Sequence, residues 1–178
     1  LMTRKGFKSG ELMVVLVTLG EELPFEAELL ACLSDLPITT LVQNINGERT
    51  NRILGDKNRV LLGSGVIRDK IHELEFEISP LSFFQNNPGQ TDVLYSKALE
   101  YCELTGSETV FDIYCGIGTI SLFLAGKAAR VVGIESVESA ISDARRNAAL
   151  NGIEHTEFHV GKAEQLMPVL HADGVTAD

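Results

Sequence analysis

The run Asp112-Ile113-Tyr114-Cys115-Gly116-Ile117-Gly118-Thr119 constrains this chain more than any other part of it. An apolar strand candidate, with Val110, Phe111 and Ile113, gives way to two glycines and then to helix-forming sequence. Gly116 and Gly118 let the backbone turn sharply and approach a small ligand with no Cβ in the way. The first turn of the following helix offers its free N–H groups to that ligand. The next apolar run ends in an acid, Glu135. The spacing fits a strand, a helix and a second strand, after which a carboxylate can take both ribose hydroxyls of a nucleoside.

Two classes of adenosyl cofactor fit that outline, and the turn separates them. A dinucleotide fingerprint reads G-x-G-x-x-G, its third glycine packing helix on strand and its helix start holding a pyrophosphate. Here Ser121 stands where that glycine belongs, and Asp112 precedes the glycines. A carboxylate at that point repels a pyrophosphate and attracts the cationic amino group of a methionine. S-adenosyl-L-methionine therefore fits better than NAD.

Around the turn, strands and helices alternate. The pattern predicts strand 109–113, helix 119–125, strand 130–135, helix 137–150, strand 156–160 and helix 163–170, with Asn151-Gly152 as a helix stop. A preceding helix over 90–104 is predicted to bury Val93, Leu94, Ala98 and Tyr101. In the helix from Val137, the predicted buried stripe is Val137, Ala140, Ile141, Ala144 and Ala148, with Asp143, Arg145 and Arg146 on or near the solvent side. Before Ser79 the period is that of short strands: 11–18, 40–45, 60–63 and 73–78. One helix interrupts them, with Pro24 in its first turn and Ala27, Leu30 and Ala31 as its apolar face, and Asn46-Gly47 reads as a hairpin turn. The expected fold class is thus α/β, a Rossmann-like parallel sheet of three strands over 79–178, preceded by a small α+β domain over 1–78. Independent sheets of this kind usually hold five or more strands, so the chain is expected to be a fragment, leaving its first parallel strand as an open edge.

At 178 residues the chain can bury a real core, and 15 basic against 25 acidic residues give a net charge of −10. Nothing in that balance resembles a basic nucleic-acid footprint. No apolar run approaches a membrane span and no signal-peptide core follows Leu1, so a cytoplasmic location is expected. Cys32, Cys102 and Cys115 lie far apart with no C-x-x-C spacing, which indicates neither a zinc site nor a disulfide framework. Cys32 and Cys102 are expected in the core, and Cys115 packed under the glycine turn.

Further residues carry a family resemblance. Ser82-Phe83-Phe84-Gln85-Asn86-Asn87-Pro88, with Gln90-Thr91 and Leu94-Tyr95, precedes the glycine turn; Gly133-Ile134-Glu135, 143–148, Asn151-Gly152 and 161–164 follow it. Together these resemble the RNA uracil-5-methyltransferases, the ribosomal-RNA enzymes more closely than the transfer-RNA ones. Before Ser79, Arg4, Gly6, Gly10-Glu11, Asn46, Thr50-Asn51, Leu54-Gly55 and Ile78-Ser79-Pro80 match the family's central domain. The resemblance implies S-adenosyl-L-methionine as cofactor, contacted by Gln85, Tyr114 and Glu135 and by the turn of Gly116, Gly118 and Thr119. Asp112 and the third strand's end, Ala163 with Glu164, complete the candidate cofactor set. It also implies a chemistry in which a cysteine thiolate adds to uracil C6, C5 takes the methyl group, and a base removes the C5 proton. That cysteine and base belong to a region after an Asp-Pro-Pro-Arg motif which this chain does not contain. No catalytic residue is therefore expected within it, and the 178 residues alone are expected to be inactive. The RNA-binding barrel usual in the family, and the iron-sulfur cysteines some members carry there, are likewise outside the chain. The partner implied is RNA, reached by the whole protein; which uridine is modified, and the oligomeric state, stay open.

Overall fold

The computed structural model describes residues 1–178, which divide into two compact units: 1–69 with 78–81, and 70–77 with 82–178.

In the first unit, β1 (Met2–Lys5), β2 (Leu12–Thr18), β3 (Thr40–Ile45) and β4 (Lys57–Leu62) form one sheet in the order β1-β2-β3-β4. β1 and β4 run antiparallel to their neighbours, while β2 and β3 are parallel, joined through helix α1 (Glu26–Leu33). Met13, Val15, Leu41 and Val42 are fully buried. The apolar face expected on α1 is displaced: Ala27, Ala31 and Cys32 are exposed, and the half-buried positions are Glu26, Leu29, Leu30 and Leu33. Three leucines outweigh the alanines there because a helix buries its largest apolar side chains first. Asn46-Gly47 is not a two-residue hairpin, since residues 46–56 separate β3 from β4. That loop is organised by amides: Asn46 Nδ2 donates to the Arg52 and Ile53 carbonyls, and Asn44 bonds both N–H and C=O of Gly55 at 2.8 Å. β1, the first residues of β4, and β5 (Ile67–Ile71) lack the apolar density that marks a strand in sequence.

A buried carboxylate closes this unit. Asp69, 2% exposed, accepts from the backbone N–H groups of Phe7, Lys8 and Ser9 at 2.8, 2.9 and 3.3 Å.

The second unit contains the remainder of the β5–β6 hairpin (β6, Leu74–Ile78), then α2 (Pro88–Cys102), β7 (Thr109–Ile113), α3 (Thr119–Ala125), β8 (Arg130–Glu135), α4 (Glu138–Leu150), β9 (Thr156–Val160) and α5 (Ala163–Ala172). β7, β8 and β9 are parallel in that order, with Asp112 opposite Gly133 and Gly133 opposite Phe158. Alternation along β8 feeds two apolar clusters: Val132 and Ile134 pack with Ala163 and Leu170 of α5, whereas Val131 packs with Ala125 at the end of α3. This is the predicted Rossmann-like α/β arrangement, with helices on both faces of a parallel sheet. At the β7 edge, Asp178 N donates to the Thr109 carbonyl and Thr109 N to the Asp178 carboxylate.

Three readings of the helices are corrected. In α2 the buried residues are Thr91 and Tyr95, while Val93, Leu94 and Tyr101 are 56%, 57% and 78% exposed. The tyrosine turns inward because its ring packs against Phe123 and its hydroxyl finds Thr119 Oγ1 at 2.8 Å. Cys102, at the last turn of α2, is exposed. Val137 lies just before α4 and is exposed, and within the helix Asp143 is buried, held by Ser82 Oγ at 2.7 Å and by Arg146.

Asp69→Ala would strip three backbone donors of their acceptor at once. Denaturant titration is expected to show a loss of about 2–4 kcal/mol; a loss below about 0.5 kcal/mol, the range of an ordinary surface change, would contradict this reading of the carboxylate.

Candidate cofactor site

The C-terminal ends of β7 and β8 build the site. Past Ile113 the chain cannot continue as a strand, because Tyr114 adopts φ 68°, and Gly116 and Gly118 follow at 55° and 82°. The left-handed conformation is costly for a tyrosine and persists where the surroundings fix it. Here the N–H groups of Tyr114 and Cys115 both donate to the carbonyl of Ile134, at 2.7 and 3.1 Å. Gly118 N then closes on the Cys115 carbonyl, and Leu122 N on Gly118, which starts α3. With its backbone fixed, the Tyr114 side chain is 72% exposed.

Glu135 meets this turn from β8. Its carboxylate accepts from Gly116 N at 3.3 Å through one oxygen, and from Val137 N at 3.0 Å and Ser136 Oγ at 3.1 Å through the other. An ionised carboxylate has about four acceptor positions, so one remains for a ribose hydroxyl, and the exposed Ser136 hydroxyl can yield its place to a second. At Gly116 a Cβ would meet nothing within 4 Å, which leaves the turn open to a ligand on that side. Gly133 faces the opposite situation. A Cβ there would lie 2.6 Å from Phe158 and 3.0 Å from Cys115 Sγ, so the sheet beneath the turn is packed to contact.

Asp112 lies under the turn. Ser121 Oγ donates to its carboxylate, and burial pushes its carboxyl above the usual range, with the Ser121 hydrogen bond opposing that shift. The serine read from sequence as a missing glycine is thus a fully buried partner of the acid. Thr119 opens α3 and is bonded to Tyr95, whose phenol burial also pushes up. Cys115 is buried, and burial, with the charges of Asp112 and Glu135 adding to it, raises its thiol to about 12.

The turn and Glu135 are therefore brought together. Gln85 is half-buried in the segment between Ser82 and Asn87. Ala163 is 5% exposed at the first turn of α5 and belongs to the core cluster with Val132 and Ile134, so its methyl group faces apolar side chains. Sequence reasoning missed Tyr95, Phe158 and Asn147, which support the turn from behind. A concavity of about 700 Å³ lies along α4 and β9, lined by Arg145, Phe158 and His159 among others, and includes none of the predicted cofactor residues. The residues present fit an adenosyl group: an open glycine turn, a partly satisfied carboxylate at the adjacent strand end, and an exposed aromatic ring, Tyr114, just before the two glycines.

Comparison with known proteins agrees with the fold. The family described as "Methyltransferase domain" matches residues 104–177. An uncharacterized RNA methyltransferase of Listeria innocua is 52% identical over 100% of this chain and 40% of its own length. Another, from Halalkalibacterium halodurans, is 54% identical over 99% of this chain and 39% of its own length. Among solved structures, the Pyrococcus abyssi tRNA (uracil-54, C5)-methyltransferase in complex with S-adenosyl-L-homocysteine superposes with a TM-score of 0.75 at 30% identity, covering 90% of this chain and 38% of that one. The chain thus spans about 40% of the length of the curated relatives it matches. No helix is long and apolar enough to cross a membrane. Residues 104–177 carry methyltransferase-domain sequence in a Rossmann-like fold, within a chain that is similar along its whole length to bacterial RNA methyltransferases.

Proposed function

We propose that the protein is a cytoplasmic S-adenosyl-L-methionine-dependent RNA methyltransferase that modifies C5 of a uridine, with ribosomal RNA as its substrate. The observation that carries this reading is the glycine turn whose Gly116 N–H is held by the carboxylate of Glu135. When bound, the cofactor supplies an activated methyl group on a sulfonium. Glu135 accepts the ribose hydroxyls, Tyr114 lays its ring against the donor, Gln85 bonds the methionine end, and Gly116 and Gly118 give the ligand access to the backbone of the turn. Thr119 sets the start of α3 through Tyr95, and the first turn of α5 at Ala163 borders the adenine. Asp112 lends negative charge beneath the turn, towards which a cationic amino group is drawn.

The resemblance in 82–119 supports uridine C5 and ribosomal RNA. Likeness to the Pyrococcus abyssi enzyme favours transfer RNA as a second reading. An assay with RNA carrying tritium at uracil C5 decides between them, because only C5 methylation releases that label. Release from ribosomal RNA and not from transfer RNA is expected of the whole protein; the reverse would select the second reading, and methylation without release would exclude both.

Glu135→Ala removes the ribose acceptor and is expected to weaken S-adenosylhomocysteine binding in calorimetry by at least about tenfold, the equivalent of one charge-assisted hydrogen bond. Unchanged affinity would remove Glu135 from the site.

None of the three cysteines within the chain is suited to attack C6, and no turnover is expected of the 178 residues alone. Cys115 keeps its proton: its neutral thiol contributes stability that is complete below the ordinary value of 9.0 and is lost as pH rises towards about 12. Alkylation with iodoacetamide at pH 8, read by mass spectrometry, is expected to label the exposed Cys32 and Cys102 and to leave Cys115 unmodified in the folded protein. Preferential labelling of Cys115 would reverse its assignment as a packing residue.

A further inference from the structure

The side of α4 that packs inward is unusual for an amphipathic helix, because Asp143, Asn147 and Asn151, at successive four-residue steps, form a polar row along it. Asp143 and Asn147 are 5% and 0% exposed, and each member of the row has partners. Asn151 accepts from Glu75 N at 2.9 Å and donates to the Glu75 carbonyl at 2.7 Å. Asn147 accepts from Glu77 N at 2.8 Å. Glu75 and Glu77 sit two apart on β6, so their N–H and C=O groups point to the same side, and the two carboxamides stand where a neighbouring strand would otherwise pair. Asp143 accepts from Ser82 Oγ at 2.7 Å, at the start of the segment that carries Gln85.

One bond in this row leaves it. Asn147 Nδ2 also donates to the carbonyl of Ile117 at 3.2 Å, a fully buried contact to the residue between Gly116 and Gly118. We propose that Asn147 is a positioning residue for cofactor binding, its single carboxamide tying the glycine turn to β6 and so fixing the tilt of the Ile117 peptide. The proposal rests on the cofactor reading above. Gly116 and Gly118 give the turn its freedom of φ, and the same freedom lets the Ile117 carbonyl rotate unless something holds it. Tyr114, Cys115 and Gly116 are held through β8, and Asn147 holds the stretch that follows.

Asn151 supplies the control, since it bonds β6 in the same manner but makes no bond to the turn. Asn147→Ala and Asn151→Ala are both expected to lower thermal stability. At a temperature where each variant is folded, S-adenosylhomocysteine affinity by calorimetry is expected to fall about tenfold in Asn147→Ala and to stay within about twofold of wild type in Asn151→Ala. Amide hydrogen exchange over residues 115–118 is expected to accelerate in Asn147→Ala alone. Asn147→Ser, whose hydroxyl is too short to span both partners, carries the same expectations should the alanine variant fail to fold. Equal loss of affinity in the two positions, or unchanged exchange over 115–118 when Asn147 is replaced, would overturn the proposal. If the wild-type protein binds no S-adenosylhomocysteine, the cofactor reading fails and the positioning role falls with it, while the exchange comparison still decides whether Asn147 holds the turn.

Discussion

The end of β8 is the point on which the rest of the site depends. The Ile134 carbonyl takes two successive N–H groups of the turn, and the next residue's side chain takes a third at Gly116. Three donors of one turn are thereby fixed by two adjacent residues of the neighbouring strand. That arrangement holds Tyr114 in a left-handed conformation which an unconstrained tyrosine would leave. It also sets the Glu135 carboxylate beside the turn before any ligand arrives, so that little side-chain entropy is lost on binding. The register of β7 on β8, with Ile113 opposite Ile134, makes the geometry possible. A slip by one residue would turn the Glu135 side chain to the other face of the sheet.

The support beneath the turn is of two kinds. Directly under it the contact is apolar: Phe158 of β9 fills the space that Gly133 and Gly118 leave, with Cys115 beside them. Towards α4, α3 and α2 it is polar, through Asn147, Ser121 and Tyr95. Apolar packing excludes water but tolerates small rotations, whereas a hydrogen-bonded carboxamide fixes direction. A turn containing two glycines has need of both.

Much of this was legible in the chain. Strands 109–113, 130–135 and 156–160 were read at their observed bounds because each is a short, β-branched run between turn signals. The glycine turn and the acid that ends the second strand carry their geometry in residue type and spacing. What sequence hid was which face of a helix turns inward when polar residues are paired there. α2 presents Val93 and Leu94 to solvent because Tyr95 has both a ring partner and a hydroxyl partner inside. Asp143 reads as a surface acid until Ser82, distant in sequence, supplies its donor. The four-residue spacing of Asp143, Asn147 and Asn151 was the one available signal, and periodicity scored on apolar residues alone passes over it. In the first unit the misses have another cause: β1 and β4 are edge strands whose polar residues leave no alternation of apolar types, and the 46–56 loop is shaped by side-chain amides.

The most direct test of the cofactor assignment is a crystal structure of the protein grown with S-adenosylhomocysteine. The account predicts the adenosyl group on the turn of residues 114–118, with its ribose hydroxyls within hydrogen-bond distance of the Glu135 carboxylate. Ligand seated instead in the concavity between α4 and β9, with the glycine turn bare, would contradict it.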